Sequence, residues 1–411
     1  MRRSFASLGS FVTLSSILAA CTQAATPIAP PAAGSPINIG AIVSLTGSQA
    51  TAGQMVKEGY LFCQDWINAK GGVTVGGVGH PLNLQIEDDQ SRPSLAADTA
   101  ERLISKDHVS LLLGASANST TAKAAPVAER HQVPMVSPGA SADAIFNSQY
   151  HYLFSVLAPD SRQLGAIIDM ALAQTPKPQS VSLLFASDSM SWAMATAGAA
   201  YASSQGLNVV SGVSYPSGVN DLRGQLGAVA APGPDLIIEA GHPGESVRTV
   251  QQAQQMNIQP KLLAFTDGPG NYDFTSSLHS AANYSAGATQ WTPSARTPIS
   301  YFTDSFHYSL EYSAKFGHLP DQHSAAATAA CLTLEVAIEQ ANSTLPNWVR
   351  DSLGVLDFNS FFGEIKFDGR GANMAKSVYV EQVQGGRNIL VWPPTIASSR
   401  PRYPDPGWAK R

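Results

Sequence analysis

The sequence predicts an α/β protein made of two doubly wound lobes, each a parallel sheet covered by helices on both faces. Three observations point to this class. Apolar runs of strand length alternate with longer stretches of helical periodicity. The alternation comes as two separate series, and a chain of 411 residues with 44% apolar and 13% charged content can bury two cores.

The first series opens with a strand from Ile37 to Val43 and a helix from about Ala52 to Lys70. It continues with a strand from Leu82 to Glu87, a helix from Ser94 to Lys106, a strand from Ser110 to Leu113 and a helix from Ser119 to His131. The second series runs Val181 to Phe185, helix Met190 to Gln205, Val209 to Val213, helix Leu222 to Ala230, Leu236 to Glu239, helix Ser246 to Met256, and Leu262 to Phe265. Long helices are expected again from Ile299 to Phe316 and from Ser324 to Asn342, before closing strands near Glu364 to Phe367 and Val378 to Val383. No repeat occurs at solenoid spacing. The glycine-rich stretch from Gly71 to Gly79 follows a helix, whereas a dinucleotide fingerprint follows a strand, so it reads as a flexible turn.

Composition and motifs argue against catalysis and against nucleic acid. With 25 Lys+Arg against 30 Asp+Glu there is no basic field to hold a polyanion. Gly114-Ala115-Ser116-Ala117-Asn118 and Gly139-Ala140-Ser141-Ala142-Asp143 both lack the last glycine of a nucleophile elbow. His307 and Glu311 share a helix face and read as a solvated pair rather than as metal ligands. Glu87-Asp88-Asp89 ends a strand and reads as capping and loop solvation before it reads as a cation or acid–base site. The expectation is therefore a non-enzyme with no cofactor and no metal. Cys63 and Cys331 fall in apolar helical patterns and are expected as buried free thiols, a disulfide between them being the alternative.

The start of the chain carries an address. Arg2 and Arg3 precede a mildly apolar run from Leu8 to Ala20, too short and too rich in Ser and Thr to span a bilayer. Leu18-Ala19-Ala20-Cys21 resembles the lipobox of bacterial lipoproteins, which implies lipidation of Cys21 and an exported, periplasmic or cell-surface protein tethered to the membrane by that lipid alone. An ordinary signal cleaved near Ala24 or Ala25 is the other reading. Thr22 to Pro36, rich in Thr, Ala and Pro, reads as a semi-extended tether.

Ile37-Asn38-Ile39-Gly40-Ala41-Ile42-Val43-Ser44-Leu45-Thr46-Gly47 is followed by Ile67-Asn68-Ala69-Lys70-Gly71-Gly72 and by Glu87-Asp88-Asp89. Later come Val133-Pro134-Met135-Val136-Ser137-Pro138-Gly139-Ala140-Ser141, Phe265-Thr266-Asp267-Gly268-Pro269-Gly270-Asn271 and Phe367-Asp368-Gly369-Arg370-Gly371. In order and spacing these segments resemble type I periplasmic binding proteins, above all those for leucine, isoleucine and valine. The resemblance implies two lobes joined by a three-crossover hinge and closing on a small ligand, an ABC permease as partner, and a monomer. It places the crossovers near residues 156–160, 284–288 and 371–376. Lobe 1 is then 37–157 with 287–372, lobe 2 is 158–286 with 373–396, and 397–411 is a tail.

The same resemblance assigns roles. A ligand carboxylate is implied at Asn118 and Ser119 and at Gly139 and Ser141, where a helix start offers unpaired N–H groups; simple capping of that helix by Asn118 or Ser119 is the alternative. Asp267 matches the acidic residue that takes the ligand's α-ammonium, although Asp-Gly-Pro-Gly-Asn is also turn composition. The chain departs from the pattern where Ala52 replaces an aromatic, where Met190 and Ser191 with Trp192 replace a tyrosine–glycine pair, and where His242 replaces an aromatic before Pro243. Met190 and Trp192 then line an apolar pocket for a larger side chain, or belong to the core, and His242 forms a hydrogen-bonding wall. The expected function is an extracytoplasmic solute-binding protein of an ABC importer, capturing an amino acid or related zwitterion. The alternative is a ligand-sensing or scaffold lipoprotein acting through a protein partner.

Overall fold

The structure, a computed structural model, describes residue 1 and residues 34–411 apart from Asn271. Cys21, the lipobox-like segment and most of the expected tether lie outside the described residues.

The first sheet grows from β1 (Ile37–Val43), followed by α1 (Ala50–Ala69), a hairpin of β2 (Val73–Val75) and β3 (Val78–His80), β4 (Leu82–Asp88) and α2 (Pro93–Ser105). Then come β5 (Leu112–Leu113), α3 (Asn118–His131), β6 (Met135–Ser137), α4 (Asp143–Phe146) and β7 (Leu153–Ser155). The strand order is β4-β1-β5-β6-β7, all parallel. β1 lies inside this sheet, which is why it reads as an almost unbroken apolar run.

The second sheet follows with α5 (Ser161–Leu172), β8 (Ser180–Ala186), α6 (Ser189–Ser204), β9 (Asn208–Tyr215), α7 (Arg223–Ala230), β10 (Leu236–Ala240), α8 (Pro243–Gln255), β11 (Leu262–Phe265), α9 (Tyr272–Leu278) and β12 (Ala286–Thr289). The chain then returns to the first lobe for α10 (Ser305–Phe316), α11 (Gln322–Ala341), α12 (Pro346–Val355) and the pair β13 (Asp357–Ser360) and β14 (Gly363–Lys366). It ends in the second sheet with β15 (Tyr379–Gln384) and β16 (Arg387–Trp392), giving the order β16-β15-β12-β11-β10-β8-β9. β15 and β16 are antiparallel additions to a parallel sheet. Each sheet has a separate apolar cluster on either face, as expected of double winding.

α1 and α11 pack side by side over the first sheet. α1 buries Val56, Tyr60, Cys63 and Ile67, a stripe at helical spacing, against an alanine-rich face of α11. A Cβ on Gly59 would lie 2.2 Å from the Ser324 carbonyl oxygen, so only glycine permits this approach. The closeness brings the Cα atoms of Cys63 and Cys331 to 6.2 Å, and the two cysteines form a disulfide rather than the expected free thiols. Their separation of 268 residues hides the pairing, which depends on how two distant helices meet.

Two other expectations are corrected. Residues 71–79 form no loose turn: Val73 is buried, Gly76 and Gly77 take the positive φ a tight hairpin needs, and the Thr74 and Gly76 N–H groups donate to Glu339 (2.9 Å) and Asn342 (2.6 Å) on α11. α10 begins at Ser305 rather than Ile299, because Asp304 accepts the His307 N–H at 2.8 Å and caps it, while the Ser300 and Tyr301 N–H groups bind the Asn359 carbonyl.

The chain passes between the sheets after β7, after β12 and after β14, and buried side chains stitch the three passages together. The Gln290 amide accepts from the Ala158 N–H (3.2 Å) and donates to the Ala158 carbonyl (3.1 Å). Lys376 donates to the Gln290 carbonyl (2.6 Å), and Asn373 to the Val156 carbonyl (3.2 Å). Lys376 is fully buried against the Phe362 and Tyr379 rings, and burial drives its ammonium down to about 7. Replacing Cys63 and Cys331 together by Ser should lower the unfolding free energy by about 2–5 kcal/mol, read from the denaturant midpoint of oxidised protein. An unchanged midpoint would mean that the α1–α11 packing needs no cross-link.

Candidate functional site

Open parallel sheets present their functional loops at the carboxyl ends of the strands, and here the loop after β5 in the first lobe meets the loop after β8 in the second, where Asn118 touches Met190. On the lobe 1 side, the loop after β1 is held from below. The Ser44 hydroxyl donates to Asp89 (2.6 Å), and Asp88 accepts the Leu45 N–H (2.8 Å) and the Thr46 hydroxyl (2.7 Å). Glu87 pairs with Arg102 at 2.8 Å. Asp88 and Asp89 are thus committed to shaping the loop, a role close to the structural one expected of the acidic trio.

α3 begins where β5 ends. Its N-cap is Ala117, and no side chain caps it, so neither Asn118 nor Ser119 caps its own helix and the first-turn N–H groups keep their positive end. The Asn118 carboxamide instead spans to the next loop: its oxygen accepts the Ser141 and Ala142 N–H groups at 2.7 and 2.8 Å, and its nitrogen donates to the Ser141 hydroxyl at 3.2 Å. Gly139 allows this, since a Cβ there would lie 2.3 Å from the Ser116 carbonyl carbon. The structure therefore brings Asn118, Ser119, Gly139 and Ser141 together. Behind them lies buried Asp160, pushed by that burial up to about 6 against the pull of Ser141, with one carboxyl oxygen lacking a partner.

On the lobe 2 side, Asp188 caps α6 by accepting the Met190 (3.1 Å) and Ser191 (2.9 Å) N–H groups. His242 lies 3.1 Å from the same carboxylate through Nε2. Burial works to raise the Asp188 carboxyl, yet Ser191 and His242 outweigh it and hold it below its ordinary range. Met190 reaches across: its sulfur is 3.5 Å from the Asn118 amide nitrogen, so the lobes touch there. Trp192, one residue past Ser191 on that first turn, stays 58% exposed, which separates it from the core.

Asp267, in the loop after β11, is half-buried, and the Ser246 hydroxyl donates to its backbone carbonyl at 2.5 Å. Its charge is felt by Glu239 in its own lobe and by His323 at the start of α11 in lobe 1. Glu239 is fully buried, accepts from the Tyr215 hydroxyl at 2.6 Å and has an unpartnered oxygen; burial pushes it up to about 8. Direct contacts bring Asn118, Ser141 and Met190 together across the lobes. His242 stands against the Asp188 cap of the helix that carries Met190 and Trp192 in its first turn, and Asp267 lies in the loop after β11. The Asp321–Ser324 capping signature, which opens three residues before the expected helix start, sets His323 in the first turn of α11.

With this geometry the chain matches the periplasmic binding protein family over residues 36–388. It belongs to that family, whose members bind solutes and are not enzymes. It is 23% identical over 388 residues to Leu/Ile/Val-binding protein homolog 8 of Brucella abortus, covering 89% of this chain and 93% of that protein. Its fold superposes on the branched-chain amino acid binding protein LivJ of Streptococcus pneumoniae in complex with isoleucine, with TM-score 0.72, 22% identity, and 86% and 97% of the two chains covered. A solute binding protein of an ABC transporter from R. palustris in complex with benzoate gives TM-score 0.69 at 15% identity, covering 90% and 98%. Among the described residues no helix is long and apolar enough to cross a membrane, and no metal-binding cluster is present.

Glu239 sets a pH dependence on stability. Between about 4.5 and about 8 the folded protein keeps a proton that the unfolded chain releases, so this residue makes stability fall as pH rises through that window. Glu239→Gln should therefore gain in Tm over the parent protein as pH goes from about 5 to about 8. A constant difference would show that Glu239 ionises normally.

Proposed function

We propose that the chain is the solute-binding component of an ABC importer and captures an amino acid or similar small zwitterion between its lobes. The observation that carries this is the opposition of charge across the cleft. Lobe 1 offers the uncapped positive end of α3 for a carboxylate, framed by Asn118, Ser119, Gly139 and Ser141. Lobe 2 offers Asp267 for an ammonium, with Met190, Trp192 and His242 as the wall around the side chain. A ligand satisfying both sides links the lobes, which is how binding favours hinge closure.

On this reading the lobes comprise 37–157 with 287–372 and 158–286 with 373–396, the protein acts as a monomer, and Cys21 carries the lipid that keeps it beside its permease. The kinship with Leu/Ile/Val-binding proteins supports transport over the receptor or scaffold reading. An exposed Trp192 beside Met190 supports a large apolar or aromatic side chain over a small one.

Calorimetry against a panel of amino acids and benzoate tests this. A micromolar or tighter amino acid, about 8 kcal/mol of binding, is expected, and Asp267→Asn should weaken it by about 10- to 100-fold through loss of a charge-assisted hydrogen bond. Benzoate binding more tightly than every amino acid, or Asp267→Asn binding undiminished, would overturn the zwitterion reading.

A further inference from the structure

The Asn118 carboxamide has four hydrogen-bonding positions, two on its oxygen and two on its nitrogen, and all four are occupied. The Ser141 and Ala142 N–H groups, at 2.7 and 2.8 Å, can meet only an oxygen, which fixes the orientation of the amide. Its nitrogen then donates one N–H to the Ser141 hydroxyl at 3.2 Å and the other to the Met190 sulfur at 3.5 Å. Three of these bonds lie within lobe 1 and tie the start of α3 to the loop after β6. The fourth crosses to lobe 2, and its acceptor, a thioether, is a weak one.

Met190 is held in that position from its own lobe. Asp188 accepts the Met190 N–H at 3.1 Å and the Ser191 N–H at 2.9 Å. The same carboxylate accepts from the Ser217 hydroxyl at 3.1 Å and lies 3.1 Å from His242 Nε2. A capped first turn of α6 thus presents the sulfur to Asn118, on a side chain that is half-buried.

We infer that Met190 is a clasp that the ligand displaces: its sulfur occupies the Asn118 N–H group that a ligand carboxylate takes, and so holds the lobes together in the absence of ligand. This rests on the zwitterion reading, in which Asn118 frames the carboxylate. An anionic oxygen makes a stronger bond to an amide N–H than a thioether does, so the exchange is favourable, but binding must first give up the sulfur bond. Met190 therefore sets affinity by competition, through the strength of its acceptor rather than through its bulk. The same bond biases the ligand-free molecule toward closure, since separating the lobes breaks it.

Two substitutions of similar length change the acceptor in opposite directions. Met190→Leu keeps the apolar bulk and removes the acceptor, whereas Met190→Gln brings a carboxamide oxygen that accepts more strongly. The test is calorimetry with L-leucine and L-phenylalanine, together with small-angle X-ray scattering of the ligand-free proteins. Met190→Leu is expected to bind the tighter of the two amino acids about two- to tenfold more tightly than the parent protein does, the equivalent of one neutral hydrogen bond. Its ligand-free radius of gyration should exceed the parent's. Met190→Gln should bind more weakly by a comparable factor and should not expand. Unchanged or weaker binding by Met190→Leu would overturn the clasp, as would unchanged or tighter binding by Met190→Gln. Tighter binding by Met190→Leu without expansion would also overturn it and make Met190 only a wall of the pocket. If one variant fails to fold, the sign of the other decides. Failure of every amino acid to bind the parent protein would overturn the zwitterion reading and this inference together, whereas amino-acid binding indifferent to both substitutions would sink the clasp alone.

Discussion

The buried Gln290 amide grips the Ala158 backbone in both directions, and Lys376 in turn grips the Gln290 carbonyl. These few bonds join the passages between lobes, and the facing of the two sheets depends on them. Polar groups buried this deeply are costly when unpaired, so any motion that separates the passages must keep or replace these bonds. Rotation about the stitched region is the motion that leaves these bonds intact.

Around that hinge the cleft is electrically divided. Lobe 1 contributes a helix end whose N–H groups no side chain satisfies, and lobe 2 contributes carboxylates graded by burial and partner. Asp188 is held ionised by the N–H groups it caps and by His242, whereas Glu239, in the core with one hydroxyl donor, is driven toward its neutral form. Asp267, in the loop after β11, is half-buried between these extremes. Lys376 and Asp160 show the same principle at the hinge, where burial shifts a base down and an acid up.

Legibility followed the range of the interactions. α1 and α3 are readable because their stripes repeat at helical spacing and their strands carry strong apolar runs. β6 and β7 span three residues each, too few for a period to register, and they exist as strands because β5 offers an edge to which β6 pairs and β6 in turn one to which β7 pairs. Asn118 was readable as a helix-start residue; that it spends its carboxamide on Ser141 and Ala142 was not, since the partner loop lies 23 residues away.

The amino-acid sequence by itself determined the alternation of strands and helices, the two-lobed class and the set of loops from which the site is drawn, because these rest on local periodicity and on turn and capping chemistry. Tertiary structure alone decided the Cys63–Cys331 disulfide, the hinge bonds of Gln290 and Lys376, and the meeting of Met190 with Asn118. Each of those joins residues far apart in the chain, and only the packed fold sets the distances that give them their chemistry.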